Sequence, residues 1–596
     1  MAAQATPSPT ADDHEPSTLA APHGVRRDLL VVAMVTLAAC ALLAIPGSAL
    51  GYRRAGPYIA CWILNTLLAA DAWLIARRWF RGADALLRTA IIAFALVVVC
   101  GLLLGSIGLL TPLAYAVLLL ALCGGLSATA GRPVRDSAMP IRLPRTPHPA
   151  LLIAVPIAIL VLAVGWAHPP VEYDSLSYHL FFPARWLQAH RLFVMSTPWG
   201  DQAPAYEPHN GELFFLWLML PFHGDFLARV GQVPFYGLGA AALFALGRRL
   251  GLRPAHAVYP AALFLVSRGV MEQAVGADVD LMFAALFLVT LYFGLTAAET
   301  GSRGDVALWG LCLGLWMGTK FLALIYSPLL LAFGLTTAVR RRLLWAAPGV
   351  AIGAAPWYLH NWWLTGSPVY PVSLAFGGFT IARGAYPRAV LNNTGWQHLP
   401  VSHIAKLPGI LADAAGRDLL LAIMPLAALG LYAAYRRRAW RVLLVTLVVP
   451  LAMVLLFWYG VPFNNAFSAR YIFPATALFL LLAAMAFEIT AALSRYLHVV
   501  FAAILLWLVA GTSTALIEPR FLLLYGSLAV LVALVIASVP RRAVVLTLLL
   551  VCEAAAAGVF AASMRACPGD GCALLRTNPF TRPTLFRAWD WMSHHV

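Results

Sequence analysis

The sequence predicts an all-α polytopic membrane protein, a bundle of about seventeen transmembrane helices with long loops gathered on one side. Three observations carry that expectation. Of the 596 residues 61% are hydrophobic and only 11% charged, whereas a globular domain runs at about 45–50% apolar and about 25% charged. Mean hydropathy is +0.81, and long stretches carry no charge at all. The loops also sort by chemistry, short ones basic and long ones acidic and aromatic. Together these exclude a soluble enzyme, a disordered chain and a fibrous protein. The net charge of +16 raises nucleic acid as a partner. However, only Lys320 and Lys406 among the 41 basic residues are lysines, and the arginines cluster between apolar runs. That is a topology signal and not a phosphate-binding face, so no nucleic-acid partner is expected.

The elements follow in order from a span length of about 20 mostly apolar residues. Residues 1–28 read as a disordered cytoplasmic tail without the charged-then-apolar order of a cleavable signal, so the next segment is expected to stay. Segments 29–50, 58–76, 89–107 and 110–128 form a four-helix extension within 29–148. A transmembrane core over 149–563 follows, with spans at 149–167, 226–247, 254–271, 280–298, 305–320, 322–338 and 343–359. It continues through 418–435, 442–459, 471–493, 497–516, 521–539 and 543–563, and 564–596 is a short tail.

Orientation follows from arginine. With the N-terminus in the cytoplasm, 24 basic residues fall in short inside loops, and short loops are the ones that count. Arg53 and Arg54 sit against this trend on a short outside turn. The reading is a multi-pass bacterial inner-membrane protein, N-terminus cytoplasmic and C-terminus periplasmic. The long loops 168–225 and 360–417 then both lie outside, rich in aromatics, Pro, His and acids. Chemistry on that face cannot draw on cytoplasmic nucleotides and needs a substrate delivered through the bilayer.

The first long loop opens with Glu172-Tyr173-Asp174-Ser-Leu-Ser-Tyr178-His179, directly after an apolar run, and later reaches Glu207-Pro-His-Asn-Gly-Glu212. The stretch Pro183–His190 between them reads as an amphipathic interfacial helix. Asp278 and Asp280 sit where a span re-enters the membrane, a place where the helix dipole alone favours acids. Sugar transfer onto a hydroxyl needs a general base for the acceptor proton and cations or imidazoles for the leaving phosphate. The outer side offers Lys320, His360, Arg383, Arg388 and Arg470 as cations. Lys320 interrupts an apolar run, which is costly unless it is paired; snorkelling to the interface is its structural alternative.

Four stretches carry a resemblance. They are Tyr173–Leu180 with Glu207–Leu213, Gly314–Phe321, Pro356–Pro371, and Ala469–Pro474. On these the chain resembles bacterial GT-C-fold glycosyltransferases, the group that includes family-39 protein mannosyltransferases and lipid A aminoarabinose transferases. The resemblance implies a GT-C-like bundle and inverting transfer from a polyprenyl-phosphate-linked sugar to a lipid, glycan or protein acceptor at the periplasmic face. It implies Asp174 as the first-loop catalytic carboxylate and Asp278 or Asp280 as a second acid. Lys320 and Arg470 would face the donor phosphate. Glu172, Tyr178, His179, Glu212 and His360 complete the substrate-binding candidates. The chain departs from that group in its four preceding spans, in His360 where relatives often carry Arg, and in a reduced C-terminal tail. Asp278 and Asp280 could hold a divalent metal, but no full ligand set accompanies them, so no essential cofactor is expected.

Two other readings fit parts of the sequence. A surface-polysaccharide polymerase or ligase would use a lipid-linked donor and an Arg/His centre such as Arg383, Arg388, His398 and His403. A multi-span transporter or flippase would use intramembrane acids such as Asp71, Glu488 and Glu553, but the chain lacks the repeated halves common there. The aromatics at 357–363 and 457–459 read as interface belts. Cys567 and Cys572 suit a disulfide across a tight loop if the tail is periplasmic. The key expectation is spatial: Asp174, Asp278, Asp280 and Lys320 should surround one cavity.

Overall fold

Nearly every stretch of the chain with a long apolar run is helical in the computed structural model, as expected where backbone amides have no water to bond. The structure describes residues 21–566 apart from 80–83, 129–147, 168, 171, 199, 201, 377–378, 386–404, 462–465, 517–521 and 539–543. The predicted Cys567–Cys572 pairing and Arg388, His398 and His403 therefore lie outside the described residues.

The helices run α1 (Ala21–Ala49), α2 (Ala55–Trp79), α3 (Ala85–Ser106), α4 (Pro112–Ala128) and α5 (Pro149–Ala167). The first long loop carries the short α6 (Phe181–Ala189) and α7 (Asn210–Met219). Next come α8 (Val233–Arg249), α9 (Pro254–Leu265), α10 (Arg268–Ala274), α11 (Asp280–Thr300), α12 (Arg303–Met317) and α13 (Leu322–Leu331). Then follow α14 (Thr337–Arg340), α15 (Ala347–Gly353) and α16 (Ala355–Thr365). A small antiparallel hairpin, β1 (Leu374–Phe376) with β2 (Phe379–Ala382), opens the second long loop, pairing Phe376 with Phe379. The chain continues through α17 (Leu407–Ala415), α18 (Arg417–Arg436), α19 (Trp440–Leu443), α20 (Val449–Gly460) and α21 (Phe473–Ala484). It ends in α22 (Ala491–Leu516), α23 (Leu522–Ser538) and α24 (Val544–Ala566).

Among the described residues, 10 helices are long and apolar enough to cross a membrane, with shorter apolar helices beside them. Several of the seventeen expected spans are interrupted or short. The segment 254–271 is interrupted at Ser267, whose backbone is extended between α9 and α10. The segment 343–359 divides into α15 and α16, where Pro356 stands in the first turn of the second piece and favours a fresh helix start. α12 and α13 have only 15 and 10 residues.

α11 is apolar on every side and lies at the centre, the fate expected of a helix with no polar face. It packs against α8, α12 and α21, with α9 against α8 and α21. α12 and α15 approach most closely. Gly310 and Gly314 on α12 and Gly318 at its C-cap recur every fourth residue, and a Cβ at each would overlap backbone of Ala346, Gly349 or Gly353 opposite. Small residues at this spacing let membrane helices meet backbone to backbone. The N-terminal helices are not detached: α3 packs on α7, and α1 packs on α24, which in turn packs on α5.

The bundle has two chemically distinct ends. At one, Glu299 pairs with both Arg249 and Arg441, Arg437 lies 2.5 Å from Glu488, and Arg342 donates to the Gly301 carbonyl. The short arginine-rich connections converge there, at the end predicted to be cytoplasmic. The acidic loops meet at the other end.

Candidate active site

Four chain breaks build the site, and each has a local reason. Asp174 immediately precedes a single π-helical turn, Ser175–His179, which runs into α6. Asp278 lies in the turn after α10, and Asp280 is the first residue of α11, where its carboxylate meets the positive end of the helix dipole. Lys320 falls in the gap between α12 and α13, beyond the glycine seam. Arg470 lies on the 3₁₀ turn Ala466–Ile472 that leads into α21.

Arg470 gathers the three aspartates. Each of its nitrogens meets a different carboxylate: Nη2 pairs with Asp174, Nη1 lies 2.9 Å from Asp278 Oδ2, and Nε lies 3.0 Å from Asp280 Oδ2. Lys320 Nζ sits 2.8 Å from the other oxygen of Asp280. Tyr471 lies beneath both cations, its ring centroid 4.5 Å from Lys320 Nζ and 5.6 Å from the Arg470 guanidinium carbon, within reach of a cation–π attraction. Ser175 donates to Asp278 Oδ1 at 2.9 Å and accepts from the Ala277 amide at 3.3 Å, tying the two acidic segments together. Lys320 and Arg470 are each 7% exposed, and Asp278 and Asp280 each 1%. Charges so buried are tolerable only when paired.

Beside this cluster is a cavity of about 210 Å³ lined by Glu172, Asp174, Glu272, Asp278, Asp413 and Arg470, among others. Burial pushes the Glu272 carboxyl above its usual range, with Arg268 opposing and Asp413 adding to the rise. Tyr178, buried beside Asp174, keeps its phenolic proton for the same reason, burial first and the Asp174 charge second.

Behind the aspartates is a second buried pair. His179 Nδ1 lies 2.6 Å from Glu212 Oε1, and His209 Nδ1 lies 3.4 Å from Oε2 of the same carboxylate. α7 is fixed by Asn210, whose backbone N–H donates to the Gly318 carbonyl at 2.9 Å. Its side-chain amide donates to Gly353 and Leu315, and its oxygen accepts from Trp357 Nε1 at 2.8 Å. The end of the glycine seam thus holds the helix that carries Glu212.

His360 lies elsewhere. It is exposed on α16 and lines a separate cavity of about 240 Å³ together with Glu207, His209, Trp186 and Trp357. The structure therefore brings Asp174, Asp278, Asp280, Lys320 and Arg470 together, sets Glu172 and Tyr178 beside them and His179–Glu212 behind, and leaves His360 apart. Arg383 is exposed just beyond β2. Sequence reasoning missed Glu272 and Asp413, which stand in no motif, and Ser175, whose hydroxyl had no pattern. Among the described residues, no group of three or more His, Cys, Asp or Glu is placed to hold a metal ion.

Neither a family model nor a curated protein matches the sequence. Among solved structures the chain is similar to the crystal structure of ArnT from Cupriavidus metallidurans bound to undecaprenyl phosphate. The identity is 15% and the TM-score 0.42, over 70% of this chain and 78% of that one. The apo crystal structure of the same ArnT gives 17% identity and a TM-score of 0.43, over 69% and 75%.

Proposed function

We propose that the chain is a membrane glycosyltransferase that moves a sugar from a polyprenyl-phosphate-linked donor to an acceptor at the outward face, with inversion. The observation that carries this reading is Arg470 holding Asp174, Asp278 and Asp280 at one end of a membrane bundle, with Lys320 on Asp280. Asp174 is the most accessible of the three, its side chain 13% exposed against 2% and 1% for Asp278 and Asp280, and it lines the acidic cavity, so it is the carboxylate an acceptor hydroxyl can reach. It takes the acceptor proton as the hydroxyl oxygen bonds to the anomeric carbon and the bond to the donor phosphate oxygen breaks. Lys320 and Arg470 supply the positive charge that meets the departing phosphate. Their present carboxylate partners hold them in place before a donor arrives. Asp278 and Asp280, each engaged by Arg470, act as its positioning groups, and no step here calls for a metal.

The test uses the full chain purified in detergent and offered a panel of synthetic polyprenyl-phosphate sugars, with release of polyprenyl phosphate measured. Turnover is expected in the wild type, and Asp174→Asn should lower it at least about 10²-fold, the scale of a lost general base, while the variant still purifies as a folded, monodisperse protein. An Asp174→Asn protein that turns over normally would end the assignment.

A further inference from the structure

We infer that the cavity between α3, α6 and α16 is a carbohydrate subsite that holds one neutral sugar ring beside the acidic centre, an assignment that rests on the glycosyl-transfer reading above. Phe182, Trp186 and Trp357 all line the cavity, together with the polar side chains of Glu207, His209 and His360. The three aromatic rings box in the imidazole of His209, edge to face. Their centroids lie 5.6 Å, 5.6 Å and 5.2 Å from it, at interplanar angles of 88°, 77° and 86°.

Both indoles are already fixed. Trp186 Nε1 donates to the Phe193 carbonyl at 2.9 Å and Trp357 Nε1 to Asn210 at 2.8 Å. Their N–H groups are thus spoken for, and what they offer a ligand is ring surface. A pyranose has one such apolar surface, formed by its axial C–H bonds, and a rim of hydroxyls that need hydrogen-bond partners. Rigid aromatic walls with a few placed polar groups meet both needs.

The polar groups suit a neutral ligand. Burial keeps the Glu207 carboxyl above its usual range, against the opposing pull of Lys320, and partial desolvation of the ring, helped by His209, keeps His360 below its own. A carboxyl oxygen accepts from sugar hydroxyls, and an imidazole can donate or accept. An isoprenoid chain, the other apolar occupant to weigh, would set the Glu207 carboxyl against hydrocarbon at the usual cost of an unpaired polar group. Size points the same way. At about 240 Å³ the cavity falls below the roughly 300–1,000 Å³ of pockets for drug-sized ligands, which fits a single ring.

Placement links the subsite to the chemistry. His209 touches Glu212, Glu212 holds His179, and His179 shares its turn with Asp174. Lys320 stands between, paired with Asp280 on one side and felt by Glu207 on the other. A ring seated here lies one residue layer from the aspartates.

The test is saturation-transfer NMR on the intact protein in detergent with methyl α- and β-glucopyranosides, galactopyranosides and mannopyranosides as probes, and farnesol as the apolar competitor. At least one glycoside is expected to give signal. The double variant Glu207→Gln/His360→Ala should lose it about tenfold, Trp363→Ala should keep it, and Asp174→Asn should keep it although turnover is gone. No glycoside signal, an equal signal in the double variant, or variant-sensitive binding of farnesol instead would overturn the subsite. Glycoside binding without transfer from any lipid-linked donor would sink the transferase reading alone. Transfer with KM unchanged in the double variant would sink the subsite alone.

Discussion

His179 Nδ1 and Glu212 Oε1 lie 2.6 Å apart with both side chains buried, a pairing across 33 residues that joins the turn of Asp174 to α7. Burial alone would lower His179, yet the hydrogen bond and charge of Glu212 hold it above its ordinary 6.5. Burial alone would raise Glu212, yet His179 and His209 hold it at about 2 against an ordinary 4.5.

The stability of the pair therefore has a defined pH window. The contribution of His179 is whole below pH 6.5 and fades as pH climbs through its raised folded value. That of Glu212 is whole above pH 4.5 and is lost as pH falls through about 2. Both act between pH 4.5 and 6.5. The melting temperature of the wild type should exceed that of Glu212→Gln most in this window, with the gap narrowing toward alkaline pH. A gap that instead widened steadily above pH 7 would refute the pairing.

Lys320 and Asp280 should be strongly coupled. Removing one partner of a buried pair costs about 3–5 kcal/mol, since the other charge is stranded, whereas removing both can be nearly neutral. Lys320→Met alone should melt well below wild type, and Lys320→Met/Asp280→Asn should recover most of that loss. Additive effects in a thermal-shift cycle would contradict the geometry.

Arg470→Lys should behave as a severe change. An ammonium is one point charge, whereas the guanidinium presents three differently directed nitrogens, each on its own aspartate here. Turnover should fall by at least about tenfold, and adding Asp278→Asn should restore stability but not turnover. Near-wild-type rates in Arg470→Lys would mean that the three contacts do not act together.

Gly314→Val should prevent accumulation of folded protein, because its side chain would enter the backbone of α15. Gly237→Ala meets nothing within 4 Å and should be neutral. Size-exclusion profiles after detergent extraction read this directly. Equal, monodisperse yields from both variants would show that the seam is looser than described.

Much of this was legible in the sequence, and the legible part has one physical cause. A charge inside or beside an apolar run is expensive, so Asp174, Asp278, Asp280 and Lys320 stand out by position alone. The all-helical membrane architecture was legible for the same reason, from runs without charge. Span integrity was not: the breaks at Ser267 and before Pro356 lie in stretches as apolar as unbroken helices. The aromatic stripe at 357–363 also divides. Trp362 and Trp363 are exposed at 59% and 82%, as an interface belt requires, whereas Trp357 turns inward at 9%. Hydropathy cannot separate these, since the difference lies in which helix face meets α7. Asp413 and Glu272 were hidden because nothing in the sequence signals that α10 and α17, far apart in the chain, meet beside the cavity.

The contact between α1 and α24 carries an implication for biogenesis. Segments separated by some five hundred residues of synthesis are neighbours in the finished bundle, and α5 leans on the same late helix. The earliest spans to leave the translocon must wait in lipid without their eventual neighbour, so the bundle closes only once the distal part of the chain has been inserted. Nascent chains halted before α24 would leave a bare flank on α1 and α5, a mark that membrane quality-control proteases are suited to recognise.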